Sequence, residues 1–343
     1  MSDFVTLDEI GAAKERISGV AVRTPLYRLE RARLQLAGLP EPEFDLYIKA
    51  ESEQPIGSFK LRGAYNMVSQ LTPEARSRGV ITYSSGNHAQ GVAYAARALG
   101  AKAVIVMPSN APAVKKAATR ALGAEIVEVG PASSERRMKA EELVAKFGYA
   151  MIPPYDAPQI IAGQATCGLE IVEQLPDVDL VIAPVSGGGL LSGIATAVKL
   201  AAQAGLASPD VKVWGAEPEL AADAKESFYS KTLVEWPAEK TVRTIGDGLR
   251  TQSLGVLNFS HVIHHVDGIV TVMEEEILAA LRVILTATKL VAEPSGAVSL
   301  AAALFHAQEL PSARKVAVVL SGGNLEPALR EQLEREMVAG PAV

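Results

Sequence analysis

One lysine stands among small residues in the stretch 57–63, which reads GSFKLRG. A lysine amine can bond covalently to an aldehyde or act as a base when its surroundings lower its pKa. A lysine in a loop is more often a solvated charge, and this stretch alone does not decide between the two. The choice depends on the groups that the fold brings to Lys60.

Three loops of small residues each follow a predicted buried strand: SSGNH (84–88), SGGGL (186–190) and SGGN (321–324). Ligands of open α/β sheets bind at the carboxyl ends of the strands, so these loops are predicted to face one crevice. SGGGL also precedes a helix, where free N–H groups and the helix dipole suit an anion. Its spacing matches neither GxGxxG nor GxxxxGK[ST], so a single phosphate fits better than a dinucleotide or a triphosphate. A tight turn without a ligand remains the alternative.

A phosphate cradle, small-residue loops and a lysine together describe a site for pyridoxal phosphate. This cofactor needs a lysine for covalent attachment, a cup for its phosphate and a partner for its pyridine nitrogen.

The elements that must position these residues alternate along the chain. Strands are predicted at 79–85, 101–108, 124–129, 149–153, 179–185, 211–217 and 315–320, helices at 86–100, 111–123, 133–148 and 273–290, and a glycine loop that leads into a helix at 186–203. Apolar strands separated by helices are typical of parallel sheets with helices on both faces. We therefore predict an α/β fold with two open twisted sheets and the site in the cleft between two lobes. Residues 1–73 and 154–343 are predicted to form the large, cofactor-binding domain, and residues 74–153 the small one.

The composition excludes several other classes of protein. The chain has 343 residues, of which 48% are hydrophobic and 21% charged, and its net charge is −6. An acidic chain is a poor candidate for nucleic-acid binding. Its single cysteine, Cys167, favours a reducing compartment, and no apolar stretch reaches the length of a membrane span. The first residues lack the basic and apolar regions of a signal peptide, so we expect a cytoplasmic protein without a membrane partner.

The chain resembles the fold-type II pyridoxal-phosphate enzymes, in the branch of threonine and serine dehydratases, 3-hydroxyaspartate ammonia-lyases and serine racemase. The motifs that carry the resemblance span most of the chain: RTPL (23–26), SFKLRGAYN (58–66), SSGNHAQGVAYAA (84–96), IAGQAT (161–166), SGGGLLSG (186–193), AEP (216–218), EPSGA (293–297) and SGGN (321–324). The tryptophan-synthase-β-like fold of these enzymes and a homodimer are what the resemblance implies.

The resemblance also implies a set of cofactor contacts. Lys60 would attach the cofactor and later take the α-proton, Phe59 would lie against the ring, and Asn87 would bond its 3′ oxygen. The phosphate would be held by Ser186, Gly187, Gly188, Gly189 and Leu190. Ser321 would face the pyridine nitrogen, where a neutral hydroxyl suits elimination of a β-hydroxyl group.

The same resemblance implies a substrate pocket. Ser85, Gly86, Asn87 and His88 would bind the substrate carboxylate. Ser85 matches a residue that moves the second proton in the racemase, so it could support racemisation or only bind the carboxylate. Arg136 could receive a second carboxylate, although a solvated helix face explains it as well. Asp247 would line the side of the β-substituent.

The loop AEPELAAD (216–223) resembles a divalent-cation site of this branch, with Glu217, the carbonyl of Ala221 and Asp223 as ligands and Mg²⁺ as the ion. Without the resemblance, two acids six residues apart are ordinary surface charges. The histidines His261, His264 and His265 are interpreted as surface or interface residues, not as metal ligands.

These inferences predict an ammonia-lyase that removes water from a small β-hydroxy amino acid, giving a 2-oxo acid and ammonia. Threonine and serine are the first choice of substrate, with 3-hydroxyaspartate and 3-phenylserine as alternatives. A serine or other amino-acid racemase is the rival enzyme. A ligand-binding protein that has lost catalysis is the rival from another class.

Overall fold

A computed structural model describes residues 4–36, 42–84, 86–111, 113–130 and 133–339, and it contains two separate β-sheets. Its strands are β1 (Leu26–Leu29), β2 (Asp45–Ala50), β3 (Val80–Tyr83), β4 (Ala103–Pro108), β5 (Glu125–Val129), β6 (Ala150–Met151), β7 (Leu180–Pro184), β8 (Lys212–Pro218), β9 (Gly268–Val272) and β10 (Lys315–Leu320). The larger sheet has the order β1-β2-β10-β7-β8-β9, and the smaller has the order β5-β4-β3-β6. All pairs are parallel except β1 with β2.

Helices cover both faces of each sheet, as predicted. They are α1 (Leu7–Ile17), α2 (Arg31–Leu36), α3 (Lys60–Ser69), α4 (Pro73–Arg78), α5 (Asn87–Ala98), α6 (Ala113–Ala121), α7 (Ser133–Phe147), α8 (Pro158–Gln174), α9 (Gly189–Gln203), α10 (Asp223–Ser230), α11 (Ala238–Thr241), α12 (Val256–His265), α13 (Glu274–Ala287), α14 (Pro294–Phe305) and α15 (Pro327–Ala339). One face of the larger sheet packs on α8, α9 and α12, and the other on α13 and α14. The smaller sheet lies between α5 and α7.

This layering explains why the central strands are apolar along their whole length. Every residue of β4, AVIVMP, is buried, and so is every residue of β7, LVIAP. A strand whose two faces are both covered has no solvent side, and continuous apolar sequence is the result. The prediction of two open sheets with helices on both faces is confirmed. The division into domains at 74–153 stays a prediction, although all strands of the smaller sheet lie inside that range.

Within the described residues, no helix is both long and apolar enough to cross a membrane.

Helix α3 connects the two sheets with their helices, because it packs both on α5, which covers the smaller sheet, and on α8, which covers the larger. Its contact with α8 depends on two glycines that face each other. A Cβ built on Gly163 would lie 2.5 Å from Gly63 Cα, and one on Gly63 would lie 2.5 Å from Gln164 Nε2. The backbones of the two helices therefore touch where α3 begins, and any larger side chain at either position would push them apart.

A network of buried charges holds the same end of α3. The Arg62 guanidinium donates to both carboxylate oxygens of Glu51, at 2.8 and 2.7 Å, and to both of Glu170, at 2.7 and 2.9 Å. The Lys49 ammonium donates to Glu170 at 2.5 Å, and Thr24 donates to Glu51 at 2.6 Å. All four charged residues are at most 4% exposed. Two cations thus neutralise two carboxylates in the interior, and each charge has several hydrogen bonds.

Replacing Arg62 by methionine is expected to lower the free energy of unfolding by about 3–5 kcal/mol, because it leaves two buried carboxylates without their main partner. Urea denaturation would measure the loss. Arg330→Met is the matched control, since Arg330 also pairs with a glutamate, Glu334, but at the surface of α15. Exposed pairs contribute at most about 1 kcal/mol. Equal effects of the two substitutions would contradict the importance assigned to the network.

Candidate active site

Lys60 is the first residue of α3, and its side chain is half-buried. Its Nζ donates to the carbonyl oxygen of Pro154 at 2.7 Å. Burial lowers the pKa of this amine to about 8, so a useful fraction is neutral near physiological pH. A neutral amine is the form that attacks a carbonyl or accepts a proton. The lysine of the stretch 57–63 is therefore not a solvated charge.

The loop that follows β10 fixes the backbone on the other side of Lys60. The N–H of Phe59 donates to the carbonyl of Ser321 at 3.1 Å, and Ser58 forms an isolated bridge with Gly322. Ser321 itself is 4% exposed. The Phe59 ring lies 5.2 Å from the Lys60 Nζ, measured to the ring centroid. The SGGN loop is thus hydrogen-bonded to the two residues that directly precede Lys60.

The glycine loop 186–190 lies beside the same segment, at the amino end of α9. Gly188 precedes the helix with φ +92°, a backbone conformation that L side chains rarely adopt. A Cβ on Gly188 would lie 2.8 Å from the Cβ of Asn258, and one on Gly189 would lie 3.0 Å from the Cβ of Tyr155. Tyr155 directly follows Pro154, whose carbonyl accepts the hydrogen bond from Lys60. The segment 154–155 therefore contacts both Lys60 and the glycine loop. The first N–H groups of α9 have no partner within the helix, as at any helix start.

Side chains hold this loop from outside. Asn258 Nδ2 donates to the carbonyl of Gly187 at 2.8 Å, and the hydroxyls of Ser186 and Thr251 lie 2.6 Å apart. Burial raises the pKa of Tyr155 to about 12, so its phenol stays protonated. The loop is a fixed cradle whose inward surface consists of backbone, which is the chemistry that a phosphate needs.

Asn87, the first residue of α5, brings the third loop to the cleft. Its Nδ2 donates to Glu293 Oε1 at 2.5 Å, and its Oδ1 accepts from Asn324 Nδ2 at 2.7 Å. A Cβ on Gly322 would lie 3.1 Å from Asn87 Nδ2, so the SSGNH and SGGN loops are in contact. The predicted convergence of the three loops is therefore present.

His88 is buried and uncharged in the structure. The ring is 3% exposed, and its Nε2 lies 3.0 Å from the carbonyl of Ile152. Burial, with a smaller contribution from Lys60, lowers the pKa of His88 to about 3, so the imidazole is neutral. Because a carbonyl only accepts, Nε2 carries the proton. Gly86 precedes α5, and Ser85 lies outside the described residues.

Asp247 and Arg136, both predicted to contact the substrate, differ in their hydrogen bonds. Asp247 accepts a hydrogen bond from Lys115, which also lies 3.6 Å from Glu326. Arg136 lies on α7, and its buried Nε has no hydrogen-bond partner in the described part of the chain. Burial lowers the pKa of this guanidinium below its ordinary value. No hydrogen bond joins Arg136 to the lysine cleft within the described residues.

Two acids, one at the end of β8 and one at the start of α10, form a second, separate cluster. Glu217 is fully buried and accepts from the N–H groups of Ala224, at 3.1 Å, and Lys225, at 2.9 Å. Asp223 is 1% exposed, and among the described residues neither of its carboxylate oxygens has a hydrogen-bond partner. Burial raises the pKa of both carboxyls, to about 7 for Asp223, and Asp223 raises that of Glu217 further. Ala221, between them, is also buried. A pair of buried acids of this kind fits an oxygen-ligated metal ion.

The histidine interpretation is wrong for two of its three residues. His261 is 2% and His265 7% exposed, and both pack with Phe4 of the amino-terminal segment. His261 Nε2 accepts from the N–H of Val5 at 3.2 Å. These contacts pack the histidines of α12 against the amino-terminal segment.

Glu293, Asn324 and Lys115 also lie at the cleft, although their sequence surroundings alone indicated no role for them. Glu293 and Asn324 belong to the motifs EPSGA and SGGN, and a carboxylate or amide inside a motif of small residues is the signal that could have found them. Lys115 had no such signal, since it lies in a helix with other basic residues.

The residues of the cleft fit pyridoxal phosphate. They offer an amine of lowered pKa, a backbone cradle at a helix start and the amide of Asn87, which correspond to the attachment point, the phosphate and the ring of the cofactor. Comparison with known proteins agrees with this fit. The family model described as pyridoxal-phosphate dependent enzyme matches residues 17–322.

Similar proteins cover nearly the whole chain. An L-threo-3-hydroxyaspartate ammonia-lyase of Saccharomyces cerevisiae is 39% identical, with 94% of each chain covered. A serine racemase of Schizosaccharomyces pombe is 37% identical, covering 95% of this chain and 97% of its own. Among solved structures, a T.th. threonine deaminase is 45% identical and superposes with a TM-score of 0.84, over 94% of this chain and 99% of that one. The chain therefore belongs to the pyridoxal-phosphate dependent enzymes, in the fold-type II branch of threonine and serine dehydratases.

Proposed function

We propose that this enzyme is an ammonia-lyase that removes water from a small β-hydroxy amino acid, threonine or serine first, and releases a 2-oxo acid and ammonia. The observation that carries the proposal is the half-buried Lys60 amine, whose pKa is lowered and which donates to the Pro154 carbonyl at 2.7 Å. The sequence relatives named for ammonia-lyase activity support the reaction class.

The cofactor, when bound, supplies the aldehyde that takes up amines and the ring that draws electron density from the substrate's α-carbon. Lys60 would attach it, with Phe59 against the ring and Asn87 at the 3′ oxygen. Ser186, Gly187, Gly188, Gly189 and Leu190 would hold the phosphate. Ser321 would offer the pyridine nitrogen a neutral hydroxyl.

Lys60 Nζ would then take the α-proton, since burial keeps part of the amine neutral at pH 7 and most of it neutral above pH 8. The amino end of α5 would bind the substrate carboxylate. Because the His88 ring is neutral and turned to Ile152, we assign this task to the N–H groups of Asn87 and His88, together with Gly86 and Ser85. Asp247 would line the side of the β-substituent.

Two observations favour further candidates. The buried, unpartnered Nε of Arg136 favours a substrate with a second carboxylate, 3-hydroxyaspartate, because an ionised pair would satisfy the guanidinium. The serine racemase at 37% identity favours racemisation as an accompanying activity, with Ser85 as the second proton-transfer group.

We predict that the enzyme releases ammonia and a 2-oxo acid from one stereoisomer of threonine, serine, 3-hydroxyaspartate or 3-phenylserine. Lys60→Ala is expected to lower kcat/KM by a factor on the order of 10³ or more, since the general base and the attachment point are both lost. Coupled assays of oxo acid and ammonia over every stereoisomer of these substrates, with chiral chromatography for racemisation, would measure this. If none of these substrates releases ammonia and one of them is racemised, the enzyme is a racemase and not a lyase. If neither reaction occurs while substrates still bind, the chain is a ligand-binding protein.

The same panel tests Arg136. Arg136→Lys is expected to lower kcat/KM for 3-hydroxyaspartate by about tenfold to a hundredfold, because lysine cannot form the two parallel hydrogen bonds of a guanidinium. Activity toward threonine is expected to change little. Arg137→Lys is the matched control, since Arg137 is the next residue of α7 and already pairs with Glu141. An equal loss for both substrates would show that Arg136 only supports α7.

We further propose that Glu217, the carbonyl of Ala221 and Asp223 bind a divalent cation, Mg²⁺ first, outside the cleft. The support is the pair of buried carboxylates, of which Asp223 has no hydrogen-bond partner among the described residues. All-oxygen donors suit Mg²⁺, Ca²⁺ or Mn²⁺. Water would complete the ligand set.

If so, Mg²⁺ raises and EDTA lowers the melting temperature, because an ion that binds only the folded state stabilises it. At a hundred times the dissociation constant the gain is about 2.7 kcal/mol. In the double variant Glu217→Gln, Asp223→Asn the response is expected to vanish. That variant should melt no lower than the metal-free native enzyme, since the repulsion between the two acids is gone. A native enzyme whose melting temperature ignores all three cations would contradict the site.

The homodimer and the cytoplasmic location stay predictions.

A further inference from the structure

A chain of hydrogen bonds between side chains fixes the direction of the Asn87 amide. It begins at the carbonyl of Ile56, which accepts from Asn324 Nδ2 at 3.0 Å. The same Nδ2 donates to Asn87 Oδ1 at 2.7 Å, and Asn87 Nδ2 donates to Glu293 Oε1 at 2.5 Å. A backbone carbonyl can only accept, so Asn324 must present its NH₂ group there. The amide of Asn87 then has one orientation that satisfies both neighbours.

Glu293 lies at the far end of this chain, and its position is fixed by the backbone around it. It precedes α14, is 5% exposed, and its N–H donates to the carbonyl of Gly322 at 3.0 Å. A Cβ on Gly322 would meet both the Glu293 carboxylate and the Asn87 amide. The absence of a side chain at this glycine lets the carboxylate reach Asn87.

The geometry matters because an amide can turn over. A flipped Asn87 would present Oδ1 in place of Nδ2, and an oxygen facing the cofactor's 3′ oxygen would place two acceptors against each other. With Oδ1 bound by Asn324 and one N–H bound by Glu293, the second N–H of Nδ2 is the donor that remains.

We propose that Glu293 is a positioning residue, which holds the Asn87 amide so that its second N–H meets the 3′ oxygen of the cofactor ring. This inference rests on the proposed function, in which Asn87 bonds that oxygen. It adds a residue that does not touch the substrate's reacting atoms and acts through Asn87.

The charge on Glu293 supports the same role. Burial raises the pKa of this carboxyl to about 7, and Asp247 acts in the same direction, while the bond from Asn87 and the Lys115 ammonium lower it. Lys115 itself pairs with Asp247 and Glu326. The carboxyl therefore ionises as the pH rises through 7, and an ionised carboxylate is the stronger acceptor for the Asn87 N–H.

A double-mutant cycle on the holoenzyme tests the proposal through cofactor affinity and absorption, without substrate. Glu293→Leu is expected to weaken pyridoxal-phosphate binding by about tenfold and to shift the visible absorption band, whereas Glu293→Gln, which still offers an oxygen, keeps most of the affinity. In the Glu293→Gln variant the dependence of the band on pH between 6 and 8 is expected to flatten. Glu326→Gln, which alters a carboxylate near Lys115 without touching Asn87, should change none of these.

The cycle separates positioning from general support. If Glu293 acts through Asn87, then Glu293→Leu has no further effect in an Asn87→Ala background. A full tenfold loss in that background would overturn the inference while leaving the proposed function intact. An unchanged affinity in Glu293→Leu would also overturn it. If Asn87→Ala alone changes neither affinity nor spectrum, the assignment of Asn87 fails, and the inference about Glu293 fails with it.

Discussion

The pairing of Arg62 with Glu51 and Glu170 joins the turn after β2 and the first turn of α3 to α8, whose Glu170 lies more than 100 residues further along the chain. Buried ions are costly unless each is paired and hydrogen-bonded, and here both carboxylates and both cations have several partners. A network of this kind tolerates little displacement, because a lost contact leaves a charge in the interior. It therefore fixes the direction in which α3 starts. Lys60 lies two residues before Arg62, so the network also fixes the position of Lys60.

Burial in the cleft around Lys60 shifts the pKa of several ionisable groups in the direction that favours their uncharged forms. Burial lowers the pKa of the lysine and of His88, and it raises that of Tyr155 and of Glu293. Few of these groups have a counter-charge nearby, in contrast to the network at Arg62. The low-dielectric site thus leaves the lysine amine reactive. Across the cleft, Lys115 of α6 pairs with Asp247 and Glu326, which belong to the part of the chain that carries the larger sheet. This contact joins α6, beside the smaller sheet, to the part of the chain that carries the larger sheet.

The sequence predicted those parts of the fold whose patterns are local. Loops such as SGGGL lie between an apolar strand and a helix, so both their position and their affinity for an anion follow from their neighbours. Helices α8 and α14 were not predicted, because they are buried on nearly all sides and show no polar stripe. Nothing in the sequence showed that Arg62 is fully buried, because its partners Glu51 and Glu170 come to it only in the folded chain. His261 and His265 looked exposed because their partner, Phe4, is more than 250 positions away in the chain. The direction of the Asn87 amide depends on Ile56, Asn324 and Glu293, and only the folded chain brings these residues together.

The proposed roles of all the cleft residues depend on Lys60 being the point of attachment for the cofactor. Reduction of the holoenzyme with borohydride, followed by proteolysis and mass spectrometry, would locate the attachment directly, because reduction makes the bond between lysine and cofactor permanent. We expect the peptide containing Lys60 to carry the added mass of the reduced cofactor, and the Lys60→Ala variant to carry none. A label on another lysine, such as Lys115, or a colourless enzyme that takes up no label, would contradict this expectation.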